Sequence, residues 1–572
     1  MSNLFATLGL AGSALSSASA AVRTVGQNIA NANTEGYTRQ RVELHAREGV
    51  DQGRVKLGGG VDLVRVGRVL DRRLEELLRG ARSALGELST RDRVLGRIEA
   101  LLGELDGDSI ISALERFFEA AEDLANRPED HSARALFASR GEELAAGFRS
   151  RDRDLLELRR DLEREVETAV GEINRLSGEI ASLNRQIVAA EGGGTNPGTA
   201  NELRDQREEL VKQLSEIVEV KAIETTAGSL NILAGSDFLV LDGNAKSLVL
   251  DTDADDGVLV SDVRFESDGK RLAIRGGRLL GLVESRDRTV VDIRSELDSL
   301  ARAIIGEFNR VHSTGEGLLR WRELTATTRV TDPSAPLSSL ALVPPARNGS
   351  FDLRVVREAT GEVDTYNIEV DLDGLGGGDT SLADLVARIN AAVGADHPTF
   401  VASVTRDGQL RIESGDVDLS FSFAGDSSGA LAGLGAATFF QGTRALDIAV
   451  NAAVADDPRL IATGSGGGPT DSSGIARLIA LRDAAVLEDG GATFEEFYRG
   501  TVGMIGVDRA RARDQLANQR VIADHLANER AAISGVNLDD ESIDLLRHQR
   551  AYQGAARYLS IVDSLMEALL NA

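Results

Sequence analysis

Apolar residues near the start of the chain fall at Leu4, Leu8, Ala11, Leu15, Ala18, Val22, Val25 and Ile29, at alternating spacings of four and three. That alternation lays them along one stripe of a helix about 40 Å long at 1.5 Å rise per residue. Gly9 and Gly12 interrupt the stripe, each weakening an isolated helix by about 1 kcal/mol relative to Ala. The helix therefore needs a partner. A matching stripe stands at the other end, where Leu545, Tyr552, Leu559 and Met566 recur every seven residues with Ala556, Val562 and Leu569 between them. Chain ends are ordinarily polar and frayed unless they are held. Apolar stripes at both extremes predict terminal helices that pair and serve in assembly.

Between the ends the period changes repeatedly. Asn and Gly residues from Asn28 to Gly36 break the first helix, since both tolerate turn and left-handed backbone. Val61 to Val66 alternates as a strand, and Leu70 to Leu105 returns to a helical period. A second long seam, Val166, Val170, Ile173, Leu176, Ile180, Leu183 and Ile187, stops at Gly192–Gly194 and Asn196-Pro197-Gly198. Leu203, Leu210, Leu214 and Ile217 then restart an antiparallel helix. Residues 222–285 read as short β runs, and Leu297 to Phe308 as one more helix. After prolines at 333, 336, 344 and 345, strands are expected at Phe351–Val356, Tyr366–Val370, Phe400–Val404 and Leu410–Ile412, with a helix around Leu382–Ile389.

The expected fold is thus α+β, multidomain and elongated, with paired terminal helices, a helical-bundle domain and β-rich inserted outer domains. Its expected segments are 1–70 (terminal helix and strand, axial core), 71–221 (helical hairpins), 222–334 (β-rich, then a helix), 335–455 (a variable α+β outer domain) and 456–572 (C-terminal helices pairing with the N-terminus).

Composition narrows the function. At 572 residues the chain exceeds a single core. It contains no Cys, which excludes disulfides, thiolate metal sites and a Cys nucleophile. A formal charge of -27 opposes binding to nucleic acid and anionic lipid. Aromatics make up 4%, a balance suited to helices packed through small residues. No solid apolar block of about 20 residues is seen, so no membrane insertion is expected. Ala18-Ser19-Ala20 mimics a signal-peptidase site, yet no Lys or Arg precedes Arg23, so a cleaved signal is not expected.

Chemistry is hard to find. The histidines His45, His131, His312, His397, His525 and His548 form no zinc-type pair. Asp371 to Asp379 is rich in carboxylates, but Leu382 stands where a calcium loop wants a bidentate Glu, so a turn is expected there. No phosphate loop or nucleophile elbow is present. No catalytic residue, metal or cofactor is assigned.

The segment Asn28-Ile29-Ala30-Asn31-Ala32-Asn33-Thr34-Glu35-Gly36-Tyr37 closely resembles the N-terminal signature of flagellar rod, hook and hook-associated proteins. Ser534-Gly535-Val536-Asn537-Leu538-Asp539-Asp540-Glu541, followed by Gln549 to Arg557 with Tyr552, resembles the matching C-terminal signature, with Asp540 at its acidic position. Asn31, Asn33, Thr34, Gly36, Tyr37, Gly535, Val536, Asn537, Gln549 and Tyr552 carry the resemblance. Interior segments 201–207, 281–287 and 307–312 resemble the hook-associated branch of that family, at the hook–filament junction.

The resemblance implies a structural, non-enzymatic subunit, exported unfolded through the flagellar type III apparatus without a cleaved leader. It also implies self-assembly into a ring, with hook protein below and hook-associated protein 3 above. An export chaperone is expected on the C-terminal helix before secretion. The free terminal stripes are expected to be poorly ordered and to fold against neighbours. A hook or distal-rod subunit, an enzyme or surface-binding adhesin carried by the outer insert of a flagellar scaffold, and a cytoplasmic coiled-coil protein are the competing readings.

Overall fold

The computed structural model describes residues 2–34, 36–52, 55–103, 109–196, 198–375 and 378–570, leaving out the side chains of 2–4, 50–52, 55–57, 489, 569 and 570. Glu35, Leu105, Pro197, Gly376 and Gly377, and the side chains of Leu4 and Leu569, thus lie outside the described residues.

Helix α1 (Ser2–Ala30) turns into a ribbon in which β1 (Gln40–Ala46) pairs antiparallel with β4 (Val61–Arg68), Gln40 opposite Arg68. The pair β2 (Val50–Gln52) and β3 (Val55–Leu57) lies between them in the chain. Four helices follow: α2 (Arg72–Leu102), α3 (Ile110–Asn126), α4 (His131–Ala190) and α5 (Asn201–Ile217). Strands β5 (Val220–Glu224), β6 (Leu230–Ala234), β7 (Asp237–Leu241) and β8 (Asn244–Ala245) form an antiparallel sheet in chain order, and β9 (Leu248–Asp255) pairs with β10 (Val258–Phe265). A π turn at Ser285–Thr289 joins α6 (Gly277–Glu284) to α7 (Val290–His312).

The stretch after α7 carries β11 (Glu323–Thr325), β12 (Gly349–Arg357), β13 (Glu362–Val370), α8 (Leu382–Val393), β14 (Val401–Val404), β15 (Leu410–Glu413) and β16 (Leu419–Ala424). They make two three-stranded sheets, ordered β13-β12-β16 and β11-β15-β14. Ser381 and Asp384 close a capping box on α8, each satisfying an N–H that the helix start leaves open. Next come α9 (Ala430–Leu434), the short pair β17 (Phe440–Gln441) and β18 (Ala449–Val450), and α10 (Ala452–Asp456). The chain closes on α11 (Ser473–Ala480), α12 (Phe494–Ser534) and α13 (Leu538–Leu570). The strands and helix expected between Phe351 and Ile412 are all present, but that fold starts earlier than residue 335, because Leu324, Ala326 and Val330 belong to its core.

Two compact units interleave along the chain: Met1–Val94 with Arg160–Arg286 and Arg509–Ala572, and Leu95–Arg159 with Asp287–Asp508. In the first, α1 packs along α13 and also against β1 and β4. Ala11, Ala18 and Val25 of the stripe are buried, while Leu8, Leu15, Val22 and Ile29 are half-buried. The expected partner of α1 is therefore the helix at the far end of the same chain. The stretch of α12 after residue 508 runs antiparallel to α2: Arg530 pairs with Glu75, Gln519 Nε2 donates to the Ala81 carbonyl, and Arg509 Nε stands 3.7 Å from Asp92. Among the described helices, Phe5–Ala30 is long and apolar enough by length and composition to cross a membrane, although it holds no uninterrupted apolar block. Its alanines and leucines raise the average hydropathy even though Ser, Thr and Asn interrupt every apolar block.

The second unit concentrates the few aromatics. Phe117 stacks on Phe137 at 4.7 Å between centroids, and Phe118, Phe308, Phe439, Phe440 and Phe494 complete the cluster. An aromatic-poor chain thus still builds an aromatic core. Beside it, the fully buried His312 ring bridges two backbone groups: Nδ1 lies 2.8 Å from the Ala437 carbonyl, and Nε2 accepts from the Ala462 N–H at 3.0 Å. Only the neutral ring with its proton on Nδ1 satisfies both. Burial lowers its pKa from 6.5 to about 4.

Unfolded chains take up this proton near pH 6.5, whereas the folded unit resists until about pH 4. Stability is therefore lost as pH falls through that window, by about 3 kcal/mol in all. Urea melts at pH 7 and pH 4.5 should show this loss, and His312→Gln, which keeps one donor and one acceptor, should shrink it. An undiminished loss in that variant would place the acid sensitivity elsewhere.

Candidate functional site

At the end of α1, Asn28 is 1% exposed. Its Nδ2 donates to the Gln40 carbonyl at 2.9 Å and to Glu541 Oε2 at 3.0 Å. Its Oδ1 accepts from the Gln40 N–H at 3.0 Å and from the Tyr37 hydroxyl at 2.9 Å. All four hydrogen-bonding places of the amide are filled, as a buried amide requires. The side chain pairs with Gln40 as a neighbouring strand does, which docks the start of β1 on the end of α1.

The turn between them is built locally. The Asn31 N–H and Nδ2 both donate to the Gln27 carbonyl, and Asn31 Oδ1 accepts from Thr34 Oγ1 at 3.2 Å. Gly36 takes φ +80°, a conformation that disfavours any side chain. Asn33 is exposed. Burial, with Asp205 and Glu541 nearby, pushes the Tyr37 hydroxyl up to about 12, so it stays a donor.

The C-terminal segment meets this turn. Ser534 ends α12 and its carbonyl accepts from the Arg39 N–H at 2.9 Å. Gly535 and Val536 carry the chain round to Asn537, whose Oδ1 caps α13 by accepting from the Asp539 N–H at 3.0 Å. Glu541, 1% exposed, then accepts from Asn28 and also from Arg39 Nε at 2.7 Å. The interior supplies a third wall. Asp205 on α5 accepts from the Thr38 N–H and from Arg68 Nη1, and Asn201 Nδ2 donates to Gln40 Oε1 and the Val66 carbonyl. Gly198 must lack a side chain, since a Cβ there would stand 2.2 Å from the Val66 carbonyl oxygen.

Of the residues the sequence singled out, Asn31, Thr34, Gly36, Tyr37, Gly535, Val536 and Asn537 come together here. Gln549 is exposed on α13, and Tyr552 is 41% exposed. Leu545, Ala556, Leu559 and Met566 are half-buried and Val562 is buried. The acidic position needs correcting: Asp540 is exposed, and Glu541 is the carboxylate that is buried and used. Asn28, Arg39, Gln40, Asp205 and Glu541 were not singled out, yet they carry the contacts. The arrangement fastens three segments. Among the described residues no group of His, Asp and Glu is arranged to hold a metal. In the Asp371 turn, Asp379 instead accepts from the Gly374 N–H and the Ser338 hydroxyl.

Known proteins share these segments. The family described as "Flagella basal body rod protein" matches residues 8–38, and "Flagellar basal body rod FlgEFG protein C-terminal" matches 529–572. "Flagellar hook-associated protein FlgK helical domain" matches 95–319. Flagellar hook-associated protein 1 of Salmonella typhimurium is 27% identical over 98% of both chains. Its counterpart in Bacillus subtilis is 26% identical over 100% of this chain and 99% of its own length. The solved flagellar hook junction protein FlgK from Burkholderia pseudomallei shares the fold, with a TM-score of 0.51 at 16% identity, covering 80% of this chain and all of that one.

Removing the shared carboxylate should unfasten the turn. Glu541→Ala leaves two donors short of a partner and should cost about 2 kcal/mol in chemical denaturation, whereas Asp540→Asn should stay within about 0.5 kcal/mol. Equal effects would mean that Glu541 has no special place.

Proposed function

The chain belongs to the flagellar hook-associated protein 1 family and is a structural component of the bacterial flagellum, and we propose that it builds the junction between hook and filament on which the filament is assembled. What carries the reading is the closure of both terminal segments on Glu541. The segments matched to the rod families form one fastened body, and relatives with the hook-associated name align along the full length.

On this reading copies of the chain form a ring, with hook protein below and hook-associated protein 3 above. The role is structural and needs no catalysis. The protein leaves the cell unfolded through the flagellar type III apparatus, without a cleaved leader, and an export chaperone holds the C-terminal helix beforehand. Outside the cell, burial of the terminal stripes offsets the entropy of ordering them.

Electron microscopy of a strain lacking this gene should show hooks without filaments, with filament protein released into the medium. Missing hooks would move the chain to the rod or hook class, and normal filaments would refute the role. Leu559→Asp places a carboxylate in the half-buried stripe of α13, at a cost of several kcal/mol if it stays unpaired. It should leave the second unit folded by circular dichroism but abolish incorporation into flagella.

A further inference from the structure

The face of α13 turned away from α1 is not an ordinary solvated face. Ile543, Leu546, Arg550, Arg557, Ile561 and Leu565 fall within one third of the helix circumference at 100° per residue, opposite the stripe of Glu541, Leu545, Leu559 and Val562. Ile543 is 65% exposed, and Leu546, Ile561 and Leu565 each more than half. Arg550 and Arg557 are exposed among them and make no ion pair among the described residues. This is an apolar stripe with a basic centre, laid bare on a chain of formal charge -27.

Elsewhere in the same unit lies its chemical counterpart. A groove of about 700 Å³ runs between the turn at Tyr37 and the pair α4 and α5. Tyr37, Leu183 and Leu210 give it apolar surface, and Glu179, Glu202 and Glu209 line it with carboxylates. No Lys or Arg lines it; Glu209 is paired with Lys212 at 3.2 Å and Glu179 with Arg175 at 2.9 Å, while Glu202 makes no ion pair among the described residues.

We propose that this groove receives the outward face of α13 from a second copy of the chain, with Arg550 and Arg557 meeting Glu202 and Glu209 over apolar contacts. The occupant follows from charge. Copies this acidic repel one another unless a basic patch on one meets an acidic patch on the next. The two surfaces are different patches of one chain, so the contact is heterologous and repeats head to tail, the geometry of a ring or helical array. The proposal rests on the junction reading and names the contact by which copies join.

The test is charge exchange in the full-length protein, in its own cells. Arg550→Glu with Arg557→Glu, or Glu202→Arg with Glu209→Arg, should each cut the fraction of cells bearing filaments at least tenfold. All four together should restore at least half of it, with secretion and thermal melting unchanged throughout. A disulfide gives an independent readout, because the chain has no Cys. Gln206→Cys combined with Leu546→Cys should yield covalent dimers and longer head-to-tail ladders, in purified concentrated protein and in sheared flagella, that neither single variant forms. Reversals that leave filaments normal overturn the contact, as does a groove reversal that blocks alone while the helix reversal does not, or a quadruple variant without rescue. The deletion strain separates the two claims: bare hooks there with no rescue and no dimer refute the contact alone. Normal filaments there refute the junction role, and the purified-protein disulfide still decides the contact.

Discussion

One buried carboxylate holds the two ends of the chain together. Glu541 accepts from Asn28, which is 513 residues away in sequence. Closing a loop of that length in an unstructured chain costs about 5–6 kcal/mol by polymer entropy alone, whereas a hydrogen bond to a charged group contributes about 1.5–3 kcal/mol net. The carboxylate therefore cannot close the unit unaided. The apolar stripes of α1 and α13 must supply the remainder, and Glu541 sets where along each other they stop. A polar group buried in a seam gives up stability and in exchange fixes register. Here Asn28 and Glu541 form such a pair, and each also faces a third segment, through Gln40 for one and Arg39 for the other.

The second unit follows a different rule. Its helices meet through Phe117, Phe137, Phe308 and Phe439, and its polar ties are single side chains serving several backbone groups. Arg134 is fully buried, yet it donates to the carbonyls of Pro128 and Ile461 and to Thr463 Oγ1 rather than to a carboxylate. His312 does similar work with a neutral ring. The β-rich part from Leu324 to Ala437 has its own core around Phe351, Phe400, Phe421 and Phe423.

Much of this was legible in the residues. Seven-residue spacing marked both terminal helices, and alternation located β12 to β15, because burial on one face imposes a period. What escaped was the identity of long-range polar partners, which no periodicity encodes. Two positions nonetheless left a trace. Stepping back four from Leu545 along its stripe lands on Glu541, not Asp540. On α1, Ser17, Ala21, Thr24 and Asn28 form a second buried stripe with the same four-three-four spacing. Small polar side chains hid it from a search for apolar residues. The early start of the β-rich fold escaped for another reason: β11 has only three residues, too few to show alternation.

The interleaving of the units has a consequence for the order in which the molecule is made. Its first unit takes α1 from the beginning of the chain and α13 from the very end. Whether the polypeptide leaves a ribosome or a narrow conduit, the seat for Glu541 stays empty until the last segment emerges. A chain cut short anywhere before α13 keeps an unpartnered first helix. Completeness is thereby written into topology: the first unit can form only from a molecule delivered whole.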